Sequence, residues 1–86
     1  MKNKILATAY SYLVWVPPMS IWNDYPMYWT GHMTLSWPPQ TIMSLDIRHA
    51  ELFRSEEVAR LMQHLFLQDL GTVKALTVED RKKLNV

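Results

Sequence analysis

A chain of 86 residues with no cysteine and a formal net charge of +1 has room for one hydrophobic core. Those figures exclude a disulfide framework, a thiolate metal site and a generally electrostatic attachment to nucleic acid or anionic lipid. Hydrophobic residues make up 49% and only two residues are glycine, so the chain is expected to fold on the bulk of its four Trp, four Tyr, two Phe and six Met.

The first segment, "MKNK" followed by "ILATAYSYLVWV", imitates the charged start and apolar middle of a secretion signal. Thr8, Tyr10, Ser11 and Tyr12 dilute the apolar run, however, and "PPMS" is a poor cleavage site. Residues 4–16 are therefore read as a strand. Ile5, Ala7, Ala9, Leu13 and Trp15 lie on one face, and Leu6, Thr8, Tyr10, Tyr12, Val14 and Val16 on the other. No apolar run approaches the roughly 20 residues of a membrane-spanning helix. A single cytoplasmic domain over residues 1–86, without membrane attachment, is the expectation.

Residues 17–26, "PPMSIWNDYP", connect this strand to the next. The loop holds Met19, Ile21, Trp22 and Tyr25; Trp, Tyr and Met are residue types enriched where binding energy concentrates, and Pro17, Pro18 and Pro26 stiffen the loop that carries them. With Tyr28 just beyond, they form the first candidate surface for a partner. The competing reading is that the loop folds back and plugs the end of the core.

Residues 27–37 alternate: Met27, Trp29, Gly31, Met33, Leu35 and Trp37 on one face, Tyr28, Thr30, His32, Thr34 and Ser36 on the other. Period two predicts a half-buried antiparallel strand with Trp29, Met33 and Trp37 in the core. "PPQ" turns the chain, and residues 41–48 resume the pattern with Met43, Leu45 and Ile47 inward. A hairpin with Trp37 facing Thr41 sets Met33 opposite Leu45 and Leu35 opposite Met43. On the wet face it sets His32 opposite Asp46 and Thr30 opposite Arg48.

Ser55 caps the helix expected over 56–70, with Glu56 and Glu57 in its first turn and Gly71 closing it. Val58, Leu61, Met62, Leu65 and Phe66 form its predicted core-facing stripe. Glu56, Arg60, Gln63, His64 and Leu67 form the outer face. "TVKAL" predicts a fourth strand, and Thr77 with Asp80 predicts the cap of a short final helix whose Arg81, Lys82 and Lys83 are solvated. The fold class is α+β: an antiparallel sheet of three to four strands, covered on one face by the main helix.

There is no glycine-rich phosphate loop, nucleophile elbow or closely spaced metal-ligand pair, so no enzyme, cofactor or metal site is expected. His32 and Asp46 supply the parts of a base and its orienter, and a cross-strand polar contact is the better expectation. A second candidate surface is the open sheet face with Tyr10, Tyr12, Tyr28, His32, Asp46 and Arg48, where tyrosines could stack single-stranded bases. It lacks the expected Lys/Arg-Gly-Phe/Tyr signature, and Asp46 would repel phosphate. Self-association is a further expectation, through an exposed edge strand or through Leu67 with Leu6, Val14 and Val16.

The stretch "FRSEEVA", Phe53 to Ala59, runs a strand into a capped helix. It is similar to junctions in small phage and mobile-element accessory proteins, some of them inhibitors of bacterial defence systems, including anti-CRISPR proteins. That resemblance implies a small protein without an active site that occupies a surface of a larger host protein or complex. It assigns no role to any single residue. A protein-binding module is thus the leading expectation, and a single-stranded nucleic-acid binder the alternative.

Overall fold

Leu13 and Val14 are both fully buried, although neighbours on a strand point to opposite sides. The strand that carries them, β1 (Tyr12–Val16), therefore lies at the centre of the molecule with both faces covered. The computed structural model describes residues 10–18, 24–68 and 70–84; the first part of the predicted opening strand lies outside these. β1 is joined by β2 (Met27–Met33), β3 (Thr41–Ser44) and β4 (Thr72–Ala75) in the order β3-β2-β1-β4, with every neighbouring pair antiparallel. The main helix is α1 (Glu56–Met62), continued by a wider π-helical turn over Gln63–Leu67; α2 (Val78–Leu84) ends the described chain. Among the described residues no helix is long and apolar enough to cross a membrane.

The α+β architecture is the expected one, with an addition on the far side of the sheet. Val14, Trp29 and Phe53 pack with Ala59 and Leu67 of the main helix. On the opposite face Leu13 and Tyr28 pack with Leu84 of α2 and with Ile47 of a short 3₁₀ turn, Ile47–His49. Between the strands the sheet is partly split. β1 and β2 pair directly at Trp15↔Tyr28 and Val16↔Met27. Beyond that point residues 51–53 bridge them: the Glu51 N–H donates to Trp29 O (2.9 Å), and Phe53 exchanges bonds with Tyr12 (2.7 and 3.0 Å).

The β2–β3 hairpin departs from the predicted register. Trp29 faces Met43 and Met33 faces Thr41, with an irregularity between. Four steps along β2 are thus matched by two along β3, and Gly31 in the surplus has φ +84°, a conformation that favours glycine. β2 stops at Met33 because Thr34 closes the hairpin early. Its N–H donates to Gln40 O (2.7 Å), and its hydroxyl accepts from the Gln40 N–H (2.9 Å). Leu35 and Trp37 therefore lie in a loop at 105% and 92% exposure, so Trp37 is not a core residue. Likewise Asp46 is not on a strand: its carboxylate caps the 3₁₀ turn by accepting from the Arg48 N–H (2.9 Å). Side-chain competition of this kind ends β3 at Ser44.

Ser55 caps α1 as expected, accepting from the N–H groups of Glu57 (3.1 Å) and Val58 (3.4 Å). The expected stripe is only partly buried: Met62 packs against the core and Phe66 meets the Trp29 ring, but the centre of the contact is shifted. Ala59 and Leu67 are buried, while Val58, Leu61, Leu65 and Phe66 are exposed. Ala59, the smallest residue of that surface, sits at the contact and lets the helix approach Val14 and Phe53. One residue is about 100° of helical rotation, enough to turn the apolar stripe away from the sheet. The π-helical turn then brings Leu67 inward from its predicted outer position. Leu67 and Val14, offered as parts of a dimer surface, are both interior.

The helix ends at Gln68, whose φ of 51° is left-handed, rather than at Gly71. Gly71 serves the entry to β4: a Cβ there would stand 2.7 Å from the Trp15 carbonyl oxygen. Thr77 and Asp80 make the predicted reciprocal cap of α2 (3.0 and 3.1 Å). Lys82 and Lys83 are solvated, whereas Arg81 is half-buried and donates to Tyr10 O (3.5 Å) and Ser11 Oγ (3.4 Å).

Candidate functional site

Of the loop candidates, Met19, Ile21 and Trp22 lie outside the described residues, and Tyr25 is about half exposed. Tyr28 is buried, which removes it as a contact residue. Its ring stacks on Trp15 (centroids 6.2 Å apart), and burial, together with the negative charge of Asp80, pushes its phenol pKa up.

The second candidate surface does not assemble as one face. Tyr12 packs with the cluster under α1 and Tyr28 with the cluster under α2, on opposite sides of the sheet. The Tyr10 ring is covered by the Arg54 guanidinium, 4.9 Å from its centroid. His32 does not face Asp46. Asp46 instead takes three side-chain hydrogen bonds from Arg48 (2.7–3.1 Å), and these, with the Arg48 N–H, lower its carboxyl to about 2. Each charge of that pair answers the other. The hollow beside it, lined by Pro26, Tyr28, Leu45, Ile47 and Lys83 as well, presents no free carboxylate.

His32 lines a shallow hollow with Thr30, Ile42, Met43, Ser44 and His49. Within it Ser44 Oγ is 3.1 Å from His49 Nδ1, the contact of a nucleophile with a base. Ser44 Oγ also accepts the Asp46 N–H (3.0 Å), a local turn bond, and no carboxylate among the described residues hydrogen-bonds His49. The pair closes the turn after β3. No group of three or more metal-ligating residues occurs among the described residues.

What stands out is apolar and exposed. Leu61 and Leu65 are 54% and 57% open to solvent, with Val58 and Phe66 beside them on the same helix and Leu70 just past it. In the hairpin loop, Leu35 and Trp37 are nearly free of the protein. Between these two regions lies a groove of about 260 Å³, lined by Trp29, Gly31, Met33, Glu51, Phe53, Met62 and Phe66. Its floor is aromatic: Trp29 lies 6.5 Å from Phe53 and 5.8 Å from Phe66, centroid to centroid. Met33 leads directly into the loop that carries Leu35, and Phe66 belongs to the helix that carries Leu61 and Leu65. The helical periodicity announces this stripe; only the packing of Ala59 reveals that it faces outward.

No family model matches the chain, and neither a curated protein nor a solved structure was found to match it. The similarity to small phage and mobile-element proteins therefore rests on the Phe53–Ala59 junction and on the chain's size and layout.

Proposed function

We propose that the chain is a protein-binding module that works by occupying a surface of a larger partner, with the exposed stripe of α1 and the Leu35/Trp37 loop as its contact surface. One observation carries the reading: Val58, Leu61 and Leu65, three residues of the helix's apolar stripe, are turned toward solvent. Exposed apolar surface in this arrangement is characteristic of interaction sites, and a Trp side chain presented on a short closed loop is suited to act as an anchor, with the helix leucines adding apolar area. The mode of action that follows is occlusion, as in the phage-type inhibitors that the Phe53–Ala59 junction resembles. Single-stranded nucleic acid is the less favoured partner, because Tyr10, Tyr12 and Tyr28 share no face on which bases could stack.

The test is affinity capture from bacterial lysate with the full chain and with Leu61→Glu/Leu65→Glu, each with and without nuclease and at low and high salt. A protein retained through nuclease and salt, and reduced at least about tenfold by the double substitution, is the expected result. Retention that vanishes with nuclease or salt identifies nucleic acid instead and overturns the reading.

A further inference from the structure

The groove between the hairpin loop and α1 is apolar except at one point. The Glu51 side chain lies flat against Gly31: a Cβ on that glycine would meet Glu51 Oε2 at 2.7 Å, and its Cβ and Cδ at 3.1 Å each. Gly31 leaves room for this side chain, and the backbone that carries it is fixed by the Glu51 N–H bond to Trp29 O (2.9 Å). Four other acidic side chains meet cations: Asp46 meets Arg48, Glu56 meets Arg60, Asp80 meets Lys74 and Glu79 meets Lys82. Glu51 has no cationic partner among the described residues. It stands beside the open rim of Phe66, Met62 and Met33.

We infer that this groove receives an arginine side chain of the partner protein, an inference that rests on the protein-binding reading and names the chemistry of its contact. An arginine joins the two requirements the groove sets. Its three-carbon stem covers apolar surface, and its guanidinium carries the charge that Glu51 lacks. The planar fork also matches a carboxylate with two parallel N–H bonds and stacks on an aromatic face such as that of Phe66, which a compact ammonium does less well. Methionines at 33 and 62 supply walls that adjust to the stem. Gly31 is the residue on which the arrangement depends, since only a glycine combines its backbone angle with room for the glutamate.

The test needs no knowledge of the partner. The full chain, labelled at its methionine methyl groups, is titrated by NMR at low salt with N-acetyl-arginine methylamide and, separately, with its neutral isostere N-acetyl-citrulline methylamide. Saturable shifts of the Met33 and Met62 methyls with the arginine probe are expected, with citrulline at least about tenfold weaker. Glu51→Gln, a change at an exposed residue, should weaken the arginine probe by a similar factor while the remaining methyl signals keep their positions. Absence of shifts, equal response to citrulline, or an undiminished response in Glu51→Gln would each overturn the inference. None of these outcomes bears on capture through Leu61 and Leu65, so the two readings fail separately.

Discussion

Lys74→Met should be among the most damaging single substitutions in this chain, at about 3–5 kcal/mol, because it strands a buried carboxylate. The Lys74 ammonium bonds Asp80 directly, and the two side chains are only 16% and 9% exposed. The ammonium also sits 5.1 Å from the centre of the Trp15 ring. Burial alone would raise the Asp80 carboxyl; hydrogen bonds from Lys74 and the Thr77 N–H, with the Lys74 charge, outweigh that and hold it below its ordinary value. Asp80→Asn should cost less, since an amide oxygen can still accept from Thr77 and the remaining lysine can extend toward solvent. Combining the two substitutions should recover part of the Lys74→Met loss.

The pair also fixes a dependence on pH. A carboxyl whose folded pKa lies below its unfolded value stabilises fully above about pH 4, and that contribution is lost as pH falls through the folded pKa. Urea midpoints of the parent chain and Asp80→Asn should therefore differ more at pH 7 than at pH 3. A gap that stays constant between those two values would mean that Asp80 is not held ionised by folding.

Trp29→Ala and Trp37→Ala should part company by several kcal/mol, although both residues fall on one face of the same alternating run. Trp29 is 3% exposed, lies against Phe53 and Phe66, and donates its indole N–H to His32 O (3.3 Å). Truncating it opens a cavity beneath α1 and should cost about 3–5 kcal/mol. Trp37 is 92% exposed, and its loss should change stability by no more than about 0.5 kcal/mol. Its effect should fall on partner capture instead. Equal destabilisation by the two would place Trp37 in the core after all.

Local chemistry was legible in the sequence wherever it decides structure locally. The Ser55 cap, the Thr77–Asp80 reciprocal cap and the strand at Thr72–Ala75 follow from residues within a few positions of one another. Alternation located Trp29 correctly but ran past the end of the strand, because period two does not register that Thr34 bonds Gln40 across the turn. Gly31 was the available sign of a bulge that would spoil a simple register. The site was less legible than the fold. Periodicity defined the Val58/Leu61/Leu65 stripe, yet which flank of a helix packs is set by the shape of the sheet beneath it, here by the fit of Ala59 against Val14 and Phe53. The expected tyrosine face failed for the same kind of reason: Tyr28 is covered from the side of the second helix, while Tyr12 packs on the other side of the sheet, under the main helix.

The outward orientation of that stripe is the claim on which the proposed contact surface stands, and the urea midpoint of Leu61→Glu/Leu65→Glu tests it most directly. Two charges placed on a solvent-facing stripe should move stability by no more than about 0.5 kcal/mol each. A loss of about 2–5 kcal/mol per site, the magnitude of a disrupted core position, would put the stripe inside the protein and contradict the account.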